Sequence, residues 1–416
     1  MEKDKIAFVV VRYGQNINGG AEYHCRMLAE RLRDDFSVEV LTTCVNNYSR
    51  MECGFPEGTE VVNGVLVRRF KVEPIAVRNK KMQKRAKTVR RLRMFLYHIR
   101  LLQFLSYFKP VWNWRKHEEL TIMQENVFYS PQLYQFIKKQ KDSYKAFIAF
   151  TIDYIPFYYT AILAGEKSIA IPTMHCTKIS FKGIWTEAFS KFAYIGFNTK
   201  AELKLGKQVF GKAMKKYGII SVGIEETQPV SWNLIQEKYD LPTDYLLYVG
   251  RINSDKVGCL FDYFRAYKKK YPQSKIKLVL VGGLDSGWKP FKHIDVIYTG
   301  FVSDEEKLSI IQHATVTVNP SNYESLSLIL LEALSQGKMM LVNGHCDVLK
   351  EHCKNSGYAA DYYMNKKQFV FKLHKIVGSE DLRKQKGLLG KQYVAKNYNW
   401  DLIIGRLRKV INDIRS

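Results

Sequence analysis

The stretch VNPSNYESLSLILLEALSQGK, Val318 to Lys338, places two carboxylates, Glu324 and Glu332, in an otherwise apolar segment. The preceding ATVTV alternates β-branched residues and ends at Asn-Pro-Ser, which predicts a strand followed by a turn. The leucine-rich residues from Ser325 onward predict a helix that is buried on most sides and capped by Gly337. Over eight helical positions the chain advances about 12 Å and rotates about 80° beyond two turns, so the carboxylates cannot touch. Their spacing favours contacts with two ends of one extended ligand over a paired acid and base.

Buried strand patterns alternate with helical patterns along most of the chain. Strands are predicted in two series, at IAFVVV, FSVEVLTT, VLVRRF, AFIAF, SIAIP, AYIGFN and GIISVG, and then at YLLYVG, IKLVLVGG, HIDVIYTG, ATVTVNP and KMMLVNG. This alternation is typical of an α/β fold with two parallel sheets in succession, each covered by helices on both faces. Ligands of such sheets bind beyond the carboxyl ends of the strands, so candidate site residues are expected in the loops after them.

The polar segment Ile224 to Asp244 contains two prolines and is the predicted linker between two domains. At 416 residues the chain is long enough for both. We therefore predict domains at residues 1–224 and 225–397. A C-terminal helix over residues 398–416 is expected to return toward the first domain.

The composition favours a cytosolic protein with no membrane-spanning helix. The opening MEKDK and IAFVVV form too short an apolar run for a signal peptide, and no run approaches the roughly 18 residues of a spanning helix. Seven scattered cysteines are predicted to be reduced thiols. His345-Cys346 precedes His352-Cys353 by seven residues, a wider spacing than zinc ligands use, which favours buried thiols over a metal site.

Between Glu73 and Glu118 the chain has no acidic residue, and about half of the net charge of +25 lies there. The basic residues of this segment are Arg78, Lys80, Lys81, Lys84, Arg85, Lys87, Arg90, Arg91, Arg93, Arg100, Lys109, Arg115 and Lys116. Aromatic and aliphatic residues are interleaved with them, as in helices that lie in an anionic membrane interface. A solvated basic face over a core helix and a surface for nucleic acid or another polyanion are the alternatives. We predict a membrane-facing insertion near residues 78–118.

Three loops after predicted strands carry residues suited to a phosphorylated ligand. Gly19 and Gly20, in YGQNINGGAEYH, allow backbone amides at a helix N-terminus to approach an anion, although a tight turn has the same composition. Arg251 and Lys256, in GRINSDKVG, suit a diphosphate, the alternative being two surface cations. His175 follows SIAIP; a lone histidine is usually structural, but a position facing the other domain favours a functional role.

In their order along the chain these motifs resemble the family 4 glycosyltransferases (glycosyl transferases group 1), whose GT-B fold has two Rossmann-like, doubly wound parallel-sheet lobes facing a cleft. The resemblance rests on NGGAE, VGRINSDKVG, LVLVGG, YTGFVSDEEKL and, above all, on Glu324 and Glu332 with seven residues between them. It implies transfer of a sugar from a nucleotide diphosphate donor with retention of anomeric configuration, without a metal or other cofactor. Two departures are Ser325-Leu326-Ser327, where Gly-Phe-Gly is common, and Lys338, where proline is common.

The resemblance also implies how the donor diphosphate is bound. Gly19 and Gly20 approach it from the first lobe, and Arg251 and Lys256 neutralise its charge from the second. Amides at the N-terminus of the helix after Glu324 add partial positive charge. The further expected contacts with the nucleotide sugar are Val302, Ser325, Leu326, Ser327 and Leu328.

The two ends of the donor are assigned to the two carboxylates by the same resemblance. Glu332 binds the ribose hydroxyls. Glu324 holds the donor sugar or stabilises positive charge at its anomeric carbon, and His175 positions the sugar near the acceptor. A donor phosphate oxygen takes the acceptor proton, so no separate general base is expected.

We therefore predict a hexosyltransferase that lies on the inner face of the plasma membrane as a peripheral protein. Its expected partners are a nucleotide-sugar donor, favoured as a UDP-sugar by family frequency, an anionic membrane surface and a lipid-linked or surface polysaccharide or lipopolysaccharide precursor. Nucleic acid is not favoured as a partner. The alternatives are a GT-B epimerase or phosphorylase, and a basic polyanion-binding protein with a degenerate transferase site.

Overall fold

The computed structural model of the chain describes residues 3–17, 19–47, 53–74, 80–125, 128–225, 228–285 and 287–414. These residues divide into two units, Met1–Val222 with Asp401–Ser416, and Gly223–Trp400. Each unit has its own, mostly parallel sheet, so the prediction of two successive α/β lobes is confirmed.

The first unit is built on one sheet. Its strands are β1 (Lys5–Val9), β2 (Ser37–Thr43), β3 (Gly58–Val62), β4 (Val65–Phe70), β5 (Ala146–Phe150), β6 (Ser168–Ile171), β7 (Tyr194–Phe197) and β8 (Tyr217–Ile219). Their order is β3-β4-β2-β1-β5-β6-β7-β8. The central strand β5 buries all five of its residues, as expected for a strand covered on both faces.

Helices connect the parallel strands of the first unit. They are α1 (Gly20–Leu32), α2 (Lys80–His98), α3 (Leu102–Leu105), α4 (Lys116–Gln124), α5 (Pro131–Gln140), α6 (Ile155–Ala164), α7 (Gly183–Lys191) and α8 (Lys200–Phe210). Short 3-10 turns lie at Lys141–Ser143, Gly165–Lys167, Lys178–Phe181 and Gly211–Ala213. The basic segment of the sequence thus forms α2 and α3 and reaches the start of α4, except for Arg78, which lies outside the described residues.

The second unit repeats the architecture on a smaller sheet. Its strands are β9 (Tyr245–Val249), β10 (Lys277–Val281), β11 (Val296–Gly300), β12 (Val316–Asn319), β13 (Met340–Asn343) and β14 (Ala360–Tyr363), in the order β11-β10-β9-β12-β13-β14. Its helices are α9 (Trp232–Tyr239), α10 (Ser254–Val257), α11 (Leu260–Lys270), α12 (Asp304–His313), α13 (Leu328–Ser335), α14 (Asp347–Asn355), α15 (Lys366–Val377) and α16 (Glu380–Asn397). All neighbouring strands in this sheet are parallel.

The last helix, α17 (Trp400–Asn412), belongs almost entirely to the first unit. Its buried residues Ile403, Leu407 and Ile411 recur at helical spacing on one face. On the outside, Arg408 Nε donates to Asp35 Oδ2 at 2.9 Å.

Each sheet reverses its strand order at one point. In the first sheet this point lies between β1 and β5, and in the second it lies between β9 and β12. Open parallel sheets bind ligands in the crevice beyond the carboxyl ends of the strands at such a point. The loops after these four strands are therefore the places to look for the site.

Two strands and one helix depart from the sequence-based prediction. β3 is an exposed strand without an apolar run, and it pairs antiparallel with β4 around Asn63-Gly64, whose φ angles of 50° and 79° suit this tight turn. β14, a strand of only four residues, was not among the predicted strands. The predicted linker holds α9, whose Trp232 ring stacks on His313 with centroids 4.1 Å apart.

Candidate active site

The loop after β9 carries the predicted diphosphate-binding cations Arg251 and Lys256. The Asn253 side chain caps α10 by accepting the Lys256 amide at 2.9 Å. This loop lies against the loop after β10, where a Cβ at Gly282 would stand 2.1 Å from the Gly250 carbonyl oxygen. Glycine at 282 is therefore required for the two loops to approach this closely.

Lys256 reaches across the switch point to the loop after β12. Its Nζ atom lies 3.0 Å from Glu324 Oε1 and 3.5 Å from Ser321 Oγ. The Lys256 and Glu324 side chains are 33% and 17% exposed, so solvent screens the pair and its contribution to stability is small. Because an ammonium group has three donors, Lys256 can hold Glu324 and still donate to a phosphate oxygen.

Arg251 and Glu324 both interact electrostatically with the side chain of Tyr248. The Tyr248 hydroxyl donates to the Arg251 carbonyl oxygen at 2.7 Å. Burial raises the pKa of Tyr248, the Glu324 carboxylate raises it further, and the Arg251 guanidinium opposes both. The structure thus brings together three groups of the second unit that surround the carboxyl end of β9.

Helix α13 begins at Leu328, so the prediction of a helix from Ser325 onward is wrong. Ser327 has a left-handed conformation with φ 73°, which ends the loop immediately before the helix, and its Oγ atom accepts from Asn319 Nδ2 at 3.0 Å. Glu324 therefore lies in the loop, and the helical spacing assumed between the two carboxylates does not apply. The predicted cap at Gly337 is confirmed, with φ 70° and the Lys338 amide donating to the Ala333 carbonyl at 2.9 Å.

The buried His352 is hydrogen-bonded to the main chain of this loop. His352 Nε2 lies 2.7 Å from the Leu326 carbonyl oxygen, and its Nδ1 lies 2.9 Å from the Tyr393 hydroxyl. A carbonyl oxygen only accepts, so Nε2 carries the proton and Nδ1 of the neutral ring accepts from Tyr393. Burial lowers the pKa of His352 to about 4, against the hydrogen bond to Leu326 and the charge of Glu324, which both raise it. His352 thus fixes the loop as a neutral ring.

Glu332 lies on α13, away from the Lys256 pair, and is held by a lysine that the sequence analysis did not single out. Lys307, on α12, lies 3.1 Å from Glu332 Oε1 and 2.8 Å from Asp304 Oδ1. Burial lowers the pKa of Lys307, but Glu332 and Asp304 together raise it above its ordinary value. The partly exposed Val302 precedes the N-cap of the same helix.

In the first unit, Gly19 and Gly20 stand at the exposed start of α1. Gly19 has φ 152°, and a Cβ there would stand 2.2 Å from Glu22 Oε2. Glu22 is buried and paired with Arg12, whose Nη2 atom lies 2.9 Å from Glu22 Oε1. The glycine makes room for this ion pair while leaving the first amides of the helix at the surface.

His175 belongs to a second charged group in the first unit, at the carboxyl ends of β5 and β6. Asp153 follows β5, and burial raises its pKa, whereas His175 and Lys182 oppose that shift and Glu22 adds to it. The His175 carbonyl accepts from Ser180 Oγ at 2.6 Å. Asp153 was not identified from the sequence, although a carboxylate directly after the buried run AFIAFTI is a recognisable signal.

The main chain before His175 is held by a buried carboxylate. Glu202 accepts the Met174 amide on Oε1 and the Asn198 amide on Oε2, each at 2.6 Å. These bonds join the loops after β6 and β7. Glu202 therefore fixes the start of the loop that carries His175.

Comparisons with known proteins identify the second unit. Residues 243–376 match the family model described as glycosyl transferases group 1. No curated protein sequence matches the chain. The second unit is a glycosyl transferases group 1 domain.

Solved structures extend the likeness to the whole chain at the level of fold. Sucrose-phosphate synthase from Thermosynechococcus elongatus has a TM-score of 0.68 and 14% identity, with 99% of this chain and 98% of that chain covered. HepE of Anabaena in complex with UDP-glucose has a TM-score of 0.65 and 14% identity, with 98% and 99% covered. WaaG, a glycosyltransferase involved in lipopolysaccharide biosynthesis, has a TM-score of 0.61 and 13% identity, with 99% and 100% covered. The predicted GT-B fold and the predicted resemblance are confirmed.

The second unit contains two separate ion pairs, and each of them includes one of the two predicted carboxylates. Lys256 contacts Glu324, and Lys307 contacts Glu332. Ser325 and Leu328 are partly exposed, whereas Leu326 and Ser327 are buried and offer main-chain rather than side-chain contacts. Among the described residues, no cluster of three or more histidine, cysteine, aspartate or glutamate side chains has the arrangement of a metal site.

Proposed function

We propose that the chain transfers a sugar, with retention, from a nucleotide diphosphate donor to a lipid-linked or surface polysaccharide or lipopolysaccharide precursor. The observation that carries the proposal is the contact between Lys256 and Glu324 at the switch point of a group 1 transferase domain. In this proposal Lys256 binds a phosphate of the donor beside a carboxylate that can bind sugar hydroxyls. HepE binds UDP-glucose on the same fold, which favours a UDP-sugar donor.

The proposed reaction exchanges two bonds at one face of the sugar. The bond from the anomeric carbon to the leaving phosphate oxygen breaks, and the acceptor oxygen bonds to that carbon on the same face. The acceptor proton goes to an oxygen of the departing phosphate, which leaves as a nucleoside diphosphate. Arg251 and Lys256 stabilise the charge that develops on this leaving group, so we propose that no metal is required.

The remaining residues bind and orient the donor in this proposal. Glu332, fixed by Lys307, binds the ribose hydroxyls beside Val302, and Glu324 holds the sugar. Amides from Ser325 to Leu328 meet the diphosphate at the start of α13. In the first unit, Gly19 and Gly20 offer amides to the donor diphosphate, and His175 positions the sugar for the acceptor.

A surface of the first unit supports the proposal of a membrane-bound acceptor. Phe95 on α2, Phe104 in α3 and Phe108 just after α3 are 59%, 54% and 75% exposed. Exposed cations on α2 lie along the same segment: Lys80, Lys81, Lys84, Arg85, Lys87 and Arg91. Exposed aromatic rings next to basic side chains suit an anionic bilayer interface. We propose that this aromatic-basic surface holds the enzyme peripherally on the inner face of the plasma membrane.

No helix among the described residues is both long and apolar enough to span a bilayer. WaaG, which shares the fold, is involved in lipopolysaccharide biosynthesis, and this supports the proposed acceptor class.

Donor binding and turnover test the proposal together. The chain is titrated with UDP-, GDP-, ADP- and dTDP-sugars in a thermal-shift experiment, because selective binding raises apparent stability. Release of nucleoside diphosphate is then measured with and without bacterial lipid-linked glycans. We expect one UDP-sugar to stabilise the chain and Lys256→Ala to weaken this effect about tenfold, from the loss of one charge-assisted contact. Exposed Lys275→Ala is the control; no stabilisation by any nucleotide sugar would leave a degenerate polyanion-binding protein as the better description.

A further inference from the structure

The loops after β9, β10 and β11 are joined by main-chain hydrogen bonds at the carboxyl end of the second sheet. The Ile252 amide donates to the Gly283 carbonyl at 2.9 Å, and the Gly282 amide donates to the Gly300 carbonyl at 2.8 Å. Arg251, a proposed contact of the donor diphosphate, directly precedes Ile252. A continuous surface of main chain therefore runs from Arg251 to the end of β11.

An exposed aromatic ring lies on this main-chain surface. Phe301 directly follows β11 and is 68% exposed. A Cβ at position 283 would stand 2.4 Å from Phe301 Cε2 and 2.5 Å from its Cζ, so the ring lies against Gly283 where only glycine fits. Single exposed apolar side chains are common on protein surfaces, so exposure alone does not indicate a site. The position of the ring beside the candidate donor site is the informative observation.

The segment that carries Phe301 leads directly to the helix that holds Glu332. Ser303 caps α12 by accepting the Glu306 amide at 3.2 Å, and Lys307, one turn along the helix, lies 3.1 Å from Glu332 Oε1. Phe301 precedes Ser303 by two residues, which span at most about 7 Å. One short segment thus separates the ring from the helix that fixes the proposed ribose contact.

The order of the strands gives the order of the donor parts along the sheet. In the proposed function Arg251 and Lys256, after β9, meet the diphosphate, and Glu324, after β12, meets the sugar. β10 and β11 lie on the other side of β9, and β11 is about 10 Å from β9 at the usual spacing of strands. Because phosphate, ribose and base follow one another in a nucleotide, the side of β9 opposite the sugar is left for the base.

We propose that the Phe301 ring is a stacking surface for the base of the nucleotide donor. The inference rests on the proposed glycosyltransferase function and assigns the part of the donor for which no side chain has been named. An aromatic ring stacks on any base, because every base has an aromatic face. Phenylalanine has no polar group in its side chain, so this contact adds affinity without selecting one base over another.

Calorimetric titration with UDP tests the stacking contact. Phe301→Leu is expected to bind UDP about tenfold more weakly, because leucine keeps an apolar contact with Gly283 but has no aromatic face. Phe301→Tyr keeps the ring and should keep wild-type affinity. Ile294→Ala is the matched control, since Ile294 is 88% exposed just before β11, at the opposite end of the same strand. Its UDP affinity should equal that of the wild type.

Inorganic pyrophosphate separates a lost contact with the base from a displaced loop. It has no base, so its affinity should be the same in the wild type and in Phe301→Leu. An equal fall in the affinities for UDP and pyrophosphate in Phe301→Leu indicates that the loops have moved, and it overturns the stacking role.

The remaining outcomes distinguish the inference from the function on which it rests. Equal UDP affinity in the wild type, Phe301→Leu and Phe301→Tyr overturns the inference and leaves the proposed function intact. If Phe301→Leu keeps its affinity for UDP but binds UDP-glucose tenfold more weakly, the ring contacts the sugar, which also overturns the assignment. Absence of UDP binding in the wild type contradicts the proposed UDP-sugar donor, and the inference with it.

Discussion

Lys307 shows how a single residue can set the position of a predicted binding group. Glu332 was identified from its spacing to Glu324, but its orientation depends on a lysine 25 positions away on another helix. Sequence spacing relates residues that are close along the chain, whereas a contact between α12 and α13 becomes visible only once the helices are packed. The same holds for Asp153, whose neighbours His175 and Lys182 come from a different loop.

Lys307→Met is expected to raise the donor KM about tenfold while kcat changes less. The variant removes the charged partner that fixes Glu332, and a ribose contact contributes equally to the ground state and the transition state. Lys307→Arg should restore much of the affinity, since it keeps the charge. Steady-state kinetics with the preferred nucleotide sugar measure both constants.

Lys238→Met is the control for this experiment, because Lys238 also pairs with a carboxylate of α12, Glu306, at 2.6 Å. Its kinetic constants should match those of the wild type. An equal fall in kcat and in thermal stability after Lys307→Met would contradict a role in positioning Glu332.

At the scale of elements, most strands could be predicted because buried parallel strands are short continuous apolar runs. AFIAF and VLVRRF match β5 and β4 residue for residue. The start of α13 could not be predicted, because serine at position 327 has no strong preference for the left-handed conformation that it adopts there. That conformation is imposed by the packing of the loop, which includes the bond from His352 to Leu326.

The loop before α13 makes the second unit sensitive to acid. The pKa of His352 is about 4 in the fold and 6.5 ordinarily, so between these values the unfolded chain binds a proton that the folded chain does not. The free energy of unfolding is therefore unaffected by His352 above pH 6.5 and falls as the pH drops toward 4. The total loss over this range is on the order of 3 kcal/mol.

Thermal unfolding at pH 7.5 and pH 5 measures this effect. The wild type should lose stability at pH 5, and His352→Gln, which keeps a donor for Leu326 but does not titrate, should lose less. His24 in the first unit also has a pKa lowered to about 4 by burial, so His24→Gln should likewise reduce the loss of stability at pH 5. Equal losses in the wild type and His352→Gln would exclude His352 as a source of the pH dependence.

The aromatic-basic surface of α2 and α3 was predicted from composition, but which side chains are exposed required the structure. Phe104→Ser and Phe108→Ser are each expected to weaken binding to phosphatidylglycerol vesicles about tenfold. Each variant removes one aromatic ring that the proposed contact would bury in the bilayer interface. Phe371→Ser changes a ring of the second unit that is 62% exposed and should leave binding unchanged. Cosedimentation with vesicles gives the three affinities. The membrane proposal fails if Phe371→Ser has the same effect as the other two variants.

At the scale of the whole molecule, the duplicated α/β pattern was predictable because each sheet repeats strand, helix and loop in order. The candidate residues of the second unit could be identified in the sequence because the loops after parallel strands meet at one edge of a sheet. The contact of Glu119 on α4 with the Ile184 amide on α7 could not be predicted, because the two residues lie 65 positions apart. No local pattern joins residues so far apart.

The central claim is that Glu324 acts on the sugar during transfer and Glu332 on the nucleotide. The decisive measurement compares UDP affinity, donor KM and kcat for Glu324→Gln and Glu332→Gln, with circular dichroism confirming that both fold. Glu324→Gln should lower kcat about a hundredfold or more and keep UDP affinity, because its partner is the sugar as positive charge develops. Glu332→Gln should weaken UDP binding and raise KM more than it lowers kcat. Equal loss of UDP affinity in the two variants would contradict the division of roles.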